Sequence, residues 1–277
     1  MDDALGAMVP LPEKGRVYRS RRRVRLGDAA RSQRLRLDAC ARYLQDVGND
    51  DTEDSGLDAA TGPSGGVWVV RRSVVDVLRP PRWGEWLDLA TWCSGTGGRW
   101  AGRRLAMVGE RGGHVEVDTL WVHLRPDTLT PARLPEAFLD IYGEAAGGRR
   151  IAARHVLPAP PAEGPGRERL ERVAWPLRVV DYDVMNHVNN AAYWSAVEEV
   201  LACGAGDGAA DLRPRDGRPV RAVMEYGAGI PVGADVELLV DRGDDRVDVW
   251  FTVDGAVLAT ARVARLHVGT GDPGVLG

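Results

Sequence analysis

The feature that most constrains this chain is a repeat within it. Val24–Leu44 aligns without a gap on Leu177–Val197 at an offset of 153 residues. Asp28 falls on Asp181, Leu35 on Val188, Leu37 on Asn190, Ala39 on Ala192, Cys40 on Tyr193 and Leu44 on Val197. Few identities survive, but the polar and apolar rhythm does. In a chain of 277 residues, such a repeat demands a fold built from two like units rather than one large irregular domain.

Each copy runs through the same signals. In the first, a strand-like opening (Val17–Leu26) leads into a helix predicted over 37–52. There Leu37, Cys40, Ala41, Leu44 and Val47 recur at helical spacing and make one apolar face. A Gly/Ser-rich loop (Gly56–Gly66) follows. Strands are predicted over Val67–Val77, Trp86–Gly95, Trp100–Glu110 and Val115–Leu124. In the second copy, Trp175–Val180 opens and Ala191–Cys203 reads as the helix. Its strands are Val220–Tyr226, Asp235–Asp241, Arg246–Val253 and Ala256–Val268. Pro81-Arg82-Trp83-Gly84-Glu85 and Pro231-Val232-Gly233-Ala234-Asp235 place Pro and Gly just before corresponding strands. Gly143–Gly166 is rich in Gly, Ala and Pro and reads as a linker. The expected organisation is an N-terminal unit over 15–142, a linker over 143–170 and a C-terminal unit over 171–270. The expected class is α+β: a tandem hotdog, two antiparallel sheets each wrapping a long central helix and joining edge to edge.

Composition closes off several classes. The net charge of −4 argues against a general nucleic-acid binder. No apolar run approaches the ~18 residues of a membrane span, and the acidic Asp2-Asp3 start does not resemble a secretory signal. Cys40, Cys93 and Cys203 are far apart and form no CxxC. They fit reduced thiols in a cytoplasmic protein, not disulfides or a zinc site. No His has metal-ligand spacing, so no metal site is expected. Arg16–Arg25 holds six arginines and no acid. It reads as a charge-protected edge strand or, through Arg21, Arg22 and Arg23, as a docking patch for an acidic partner.

The densest polar signal is Asp181-Tyr182-Asp183-Val184-Met185-Asn186-His187-Val188-Asn189-Asn190-Ala191-Ala192-Tyr193-Trp194, between a strand and the second helix. Asn189 or Asn190 is a natural N-cap, and a helix N-terminus offers unpaired N–H groups to an oxygen gaining negative charge. Asp183 and His187, four residues apart, are placed to converge on one carbonyl, one activating water and the other donating a proton. Glu198 and Glu199 lie further along the helix, and Glu199 is the expected one to face the cleft between halves. At the repeat offset Asp183 becomes Ala30, His187 becomes Arg34 and Asn189 becomes Arg36, so the first copy keeps the frame without the reactive groups. Gly62-Pro63-Ser64-Gly65-Gly66 matches GxSxG, but a loop precedes it and a strand follows, which is the wrong context for a nucleophile elbow. The tryptophans read as core, with lining of an acyl tunnel as the functional alternative.

These residues resemble those of the acyl-ACP thioesterases. The likeness covers about residues 15–270. It rests on Asp183-Val184-Met185-Asn186-His187-Val188-Asn189-Asn190 with Tyr193, supported by Leu44-Gln45-Asp46, Gly66-Val67-Trp68-Val69-Val70, Arg72, Pro81-Arg82-Trp83-Gly84-Glu85 and Met224-Glu225-Tyr226. The resemblance implies hydrolysis of an acyl-ACP thioester in fatty acid and lipid metabolism, with acyl carrier protein as partner and no cofactor. It implies Asp183 and His187 as catalytic residues and the backbone of Val188, Asn189 and Asn190 as the oxyanion site. Two departures stand out. Met185 replaces the family's usual Asn, and Gly229 and Ile230 stand where an acid and a Cys often occur. Asn186 substitutes for the lost Asn only if the loop rotates, and Glu199 is a candidate replacement carboxylate. An acyl-CoA or polyketide-type thioesterase and a non-hydrolytic acyl-binding protein remain open readings, as do a monomer and a homodimer.

Overall fold

The computed structural model describes residues 8–58, 66–203 and 211–266. Ten antiparallel strands form one continuous sheet. They are β1 (Val17–Arg23), β2 (Val67–Arg79), β3 (Trp86–Thr96), β4 (Trp100–Gly109), β5 (His114–Leu124), β6 (Glu171–Trp175), β7 (Val220–Tyr226), β8 (Val236–Arg242), β9 (Arg246–Val253) and β10 (Ala256–Arg265). Their order is β1-β3-β4-β5-β2-β7-β10-β9-β8-β6. Read from the centre outwards, both directions give the same sequence of equivalent strands, so the repeat is laid out with pseudo-twofold symmetry about the β2–β7 pair. That pair runs from Arg72 opposite Glu225 to Val77 opposite Val220. The two expected sheets are thus halves of one, because pairing β2 with β7 satisfies an edge that each half alone would expose.

Helices α1 (Leu37–Ser55) and α3 (Asn190–Cys203) begin at positions related by the repeat offset of 153. They pack against each other, and one core cluster unites the predicted face of α1 with Tyr193, Trp194, Val197 and Leu201 of α3 and strand residues from both halves. The two halves therefore share a single apolar interior.

Helix α2 (Glu136–Ala146), unanticipated from the sequence, has no counterpart among the described residues of the second half. Its Phe138 and Tyr142 pack with Leu57, Cys93 and Ala101 and close one end of the first half. The segment read as a linker consequently starts inside a helix. Its remainder is pinned to the outer face of the sheet: the N–H groups of Val156 and Leu157 donate to the buried Glu225 carboxylate at 2.9 and 3.0 Å, and Trp250 Nε1 donates to Pro158 O at 2.9 Å.

The expected opening strand Trp175–Val180 is also corrected. The strand is Glu171–Trp175, ending at Pro176, which has no N–H for the ladder. Val179–Asp181 forms a 3-10 turn, the counterpart of Leu26–Asp28. The Pro/Gly signals behave as equivalents: Gly84 and Gly233 take φ of 80° and 81°, a region that favours glycine. The GxSxG match lies mainly outside the described residues.

Candidate active site

The turn before each helix is built the same way. Asp183 N–H donates to His187 O at 3.0 Å, as Ala30 N–H does to Arg34 O at 2.8 Å. Asn186 N–H donates to Asp183 O at 3.1 Å, as Gln33 N–H does to Ala30 O at 2.8 Å. Asn186 and Gln33 both adopt left-handed backbone, with φ of 57° and 67°. Asn tolerates this conformation better than most residues, so Asn186 shapes the turn; its side chain is exposed and makes no contact replacing the absent Asn at Met185. Two more bonds repeat: Val188 N–H donates to Ile230 O and Asn189 N–H to Asp181 O, at 3.0 and 2.8 Å.

Those two bonds correct the expected oxyanion site. The N–H groups of Val188 and Asn189 are already consumed by backbone carbonyls. Ala191 N–H is taken by Asn189 Oδ1 at 2.8 Å and Ala192 N–H by Asn189 O at 2.8 Å, which makes Asn189 the N-cap. Of the three proposed donors only Asn190 N–H meets no protein acceptor among the described residues. Its equivalent in the first half is Leu37 N–H, which donates to Glu198 Oε1 at 2.8 Å.

Glu199 lines a groove walled by residues of both halves, as expected, but it is Glu198 that hydrogen-bonds across them. Its carboxylate receives Arg34 Nη1 and Nη2 at 2.8 and 2.5 Å, with both side chains nearly buried. Glu199 is exposed and lies nine residues past the start of α3, about 13 Å along the axis, on a groove it shares with Arg178. It is not brought to the turn.

At the turn itself, Asp183 Oδ1 accepts Met185 N–H at 2.9 Å, which fixes the carboxylate and leaves Oδ2 unengaged among the described residues. His187 is exposed and packs on Gly229, where a Cβ would come within 2.9 Å of the imidazole Cδ2. The glycine that stands in place of an acid thus makes room for the ring. Beneath the helix start, Tyr193 hydrogen-bonds the backbone of Ile230, and burial pushes its phenol up to about 12, so it stays neutral. Burial opposes ionisation of Asp181, but Arg178 outweighs this with a bond at 2.7 Å and holds the carboxyl below its usual range. The buried thiols of Cys40 and Cys93 are pushed up by burial, which makes them poor nucleophiles.

Sequence reasoning missed one residue here. Gln45, on α1, sends Nε2 to Asn189 Oδ1 at 3.3 Å and so reaches the foot of α3 from the other half. The signal was available, since Gln45 and Glu198 are related by the repeat offset of 153.

One cavity adjoins the start of α3, and another lies further along α1. A groove of about 1030 Å³ is lined by Gln45, Asn189, Ala191, Ser195, Trp175 and Arg178, among others. A second pocket of about 410 Å³ lies in the first half, walled by Trp68, Trp121, Phe138, Tyr142 and Cys93 and floored by Gly48, Asn49 and Thr52 of α1. Arg21, Arg22 and Arg23 lie on the edge strand β1 as the edge-strand reading expects. Each has a partner: Arg21 sits 3.4 Å from Asp88, Arg22 pairs with Asp46, and Arg23 Nε donates to Gly84 O at 2.9 Å.

Comparison with known proteins adds sequence and fold relationships. Residues 15–142 match the family model of the acyl-ACP thioesterase N-terminal domain, and residues 167–246 match that of the C-terminal domain. The chain is 34% identical over 260 residues to an uncharacterised protein of Mycobacterium tuberculosis, covering 94% of this chain and 96% of that one. An acyl-ACP thioesterase from Bacteroides thetaiotaomicron shares the fold with a TM-score of 0.71 at 15% identity, over 90% of this chain and 98% of its own. The 12:0-ACP thioesterase of Umbellularia californica does so with a TM-score of 0.70 at 18% identity, over 90% and 97%.

Proposed function

This chain belongs to the acyl-ACP thioesterase family, and from that premise we propose how its second half carries the reaction. The reaction is hydrolysis of an acyl-ACP thioester to a free fatty acid and the carrier protein. Asp183 is the general base: its free Oδ2 takes a proton from water as the water oxygen bonds to the thioester carbon. The carbonyl oxygen becomes an oxyanion and is held by Asn190 N–H at the positive end of α3. When the tetrahedral intermediate collapses, the C–S bond breaks and His187 supplies the proton that leaves with the thiol. Glu199, remote from the turn, has no part in these steps.

The observation that carries this reading is the contrast between the two helix starts. In the first half a carboxylate oxygen already occupies the N–H of Leu37; in the second, the same N–H meets no acceptor among the described residues, and the turn that leads into this helix start carries Asp183 and His187. No metal or organic cofactor enters the scheme.

The acyl chain is assigned to the aromatic pocket of the first half. Gln45, Gly48, Asn49 and Thr52 follow each other at helical spacing on α1, so one face of that helix leads from the foot of α3 to the pocket floor. Each unit, 15–142 and 171–270, thus contributes one part, and a single chain supplies the whole site whether or not it dimerises. The carrier docks near the mouth of the groove. Arg42 lines both the groove and the neighbouring cavity of Arg21, Arg22 and Arg23, which would face an acidic carrier. A cytoplasmic enzyme of fatty acid biosynthesis fits this substrate. No helix among the described residues is long and apolar enough to cross a membrane.

The test is turnover. Purified protein is incubated with acyl-ACPs and acyl-CoAs of varied chain length, and free thiol is followed. Release from acyl-ACP is expected, and its loss in Asp183→Asn and His187→Ala. Binding of acyl chains without release of thiol from any thioester would sink the hydrolytic reading. Faster turnover of acyl-CoA would move the substrate class.

A further inference from the structure

We infer that Gln45, supplied by the first half, is the second donor to the oxyanion that forms at Asn190 N–H. The inference rests on the thioesterase reading of the same site and assigns the residue that completes it.

The internal symmetry is the starting point. Glu198 stands on α3 where Gln45 stands on α1, and Leu37 opens α1 where Asn190 opens α3. In the first half the arrangement is filled: Glu198 Oε1 lies 2.8 Å from Leu37 N–H, and Arg34 neutralises the carboxylate. That oxygen marks where an anionic oxygen sits relative to such a helix start. In the second half, its place is left for a ligand, and the side chain arriving from the partner helix is an amide.

The orientation of that amide follows from the hydrogen-bond inventory. Asn189 Oδ1 must be an oxygen, because Ala191 N–H donates to it at 2.8 Å. The Gln45 atom 3.3 Å from it is therefore the nitrogen. One N–H of Gln45 Nε2 is anchored on Asn189, and the second, which meets no acceptor among the described residues, remains for the substrate. The anchor matters, because a donor fixed before the reaction costs no reorganisation as negative charge develops. Gln45 lines the groove and opens the α1 face that runs to the aromatic pocket, where a carbonyl must sit if its acyl tail enters that pocket. A carboxylate at this position would repel the oxyanion, which explains why the reacting half receives Gln and the closed half receives Glu.

The experiment compares Gln45→Ala and Gln45→Glu with the parent, using acyl-ACP and a non-hydrolysable thioether analogue. Loss of one oxyanion donor typically lowers kcat by about 10²–10³. Gln45→Ala is expected to show such a fall with KM and analogue binding nearly unchanged. Gln45→Glu, equal in length, is expected to fall at least as far. If Gln45 only fills space, the Glu variant would instead keep near-parental kcat, and that result overturns the assignment. So does an undiminished kcat in Gln45→Ala. A parent that turns over no thioester overturns the function and this assignment together. Thermal unfolding of both variants separates a lost donor from a lost fold: an Ala variant as inactive as expected but unfolded leaves the decision to the Glu variant, whose shape is conserved.

Discussion

The turn before α1 and the turn before α3 have the same backbone and opposite fates. Both close with the same four hydrogen bonds, place one residue in left-handed backbone and present one N–H at the head of a helix. In the first half, that N–H and Arg34 are sealed by Glu198 from across the helix pair. In the second, Arg34 is replaced by His187, Ala30 by Asp183 and Glu198 by Gln45, and the same frame is left open. The difference teaches that the helix start alone is not the active site. An anion position becomes catalytic only when its neighbours can move protons and no internal carboxylate fills it.

The comparison can be broken most severely at Asp183. Asp183→Asn removes the base while keeping shape, and kcat for acyl-ACP is expected to fall on the order of 10³-fold, within the range ascribed to general acid–base catalysis. Thiol release measured beside an unchanged unfolding temperature checks it. A variant retaining a tenth of parental activity would remove Asp183 from the mechanism.

The next contrast sets Arg34 against its positional twin His187. Arg34→Ala strands a nearly buried Glu198 charge and is expected to cost about 3–5 kcal/mol, lowering Tm by about 10 °C. His187→Ala lies on the surface and is expected to cost less than ~0.5 kcal/mol, yet to lower kcat by about 10². The paired change Arg34→Met with Glu198→Leu should recover most of the stability, since a buried ion pair can be replaced by apolar side chains at little cost. Equal loss of Tm at both positions would erase the distinction between a sealed and an open site.

A finer test uses Gly229. Gly229→Ala drives a methyl against the His187 ring, since its Cβ would stand 2.9 Å from Cδ2. A fall in kcat on the order of tenfold is expected, below the ~10² that a 1 Å misplacement can cause, with little change in Tm. Parental kinetics in this variant would mean that the ring position is not critical.

The smallest effect concerns acid. Burial opposes ionisation of Asp38, but Arg36 and Arg42 outweigh it and depress its carboxyl below the ordinary 3.8. A depressed folded-state value adds stability above the unfolded value, and this is lost as pH falls through the folded one. The second half has Ala191 at this position. Asp38→Asn should therefore lower Tm at pH 7, and the gap to the parent should close below about pH 4. A gap independent of pH would show that the pair contributes no charge-linked stability.

Much of the fold was legible from the chain. Period-2 and helical apolar patterns located nine of the ten strands closely and both central helices, since every such pattern is a burial pattern that the sheet and helix pair satisfy. What failed did so for identifiable reasons. Pro176 ended β6 earlier than its apolar neighbours suggested. Helix α2 is short and buries only a small stripe, Phe138 and Tyr142 with Ala145 and Ala146, so its apolar period is weak although Pro135 before it and Gly147 after it are start and stop signals. Within the site, the crowding of Asp183, His187 and Asn189 was readable because all sit on one turn.

The sequence by itself determined the repeat, the helix starts, and which half holds groups able to move protons, because these follow from residue type and short-range spacing. Tertiary structure decided which N–H remains free, that Glu198 rather than Glu199 hydrogen-bonds across the boundary, and that Gln45 arrives beside Asn189 from 144 residues away. Hydrogen bonds are made once per donor and depend on neighbours brought together by packing, and no local pattern records which partner claims an N–H first.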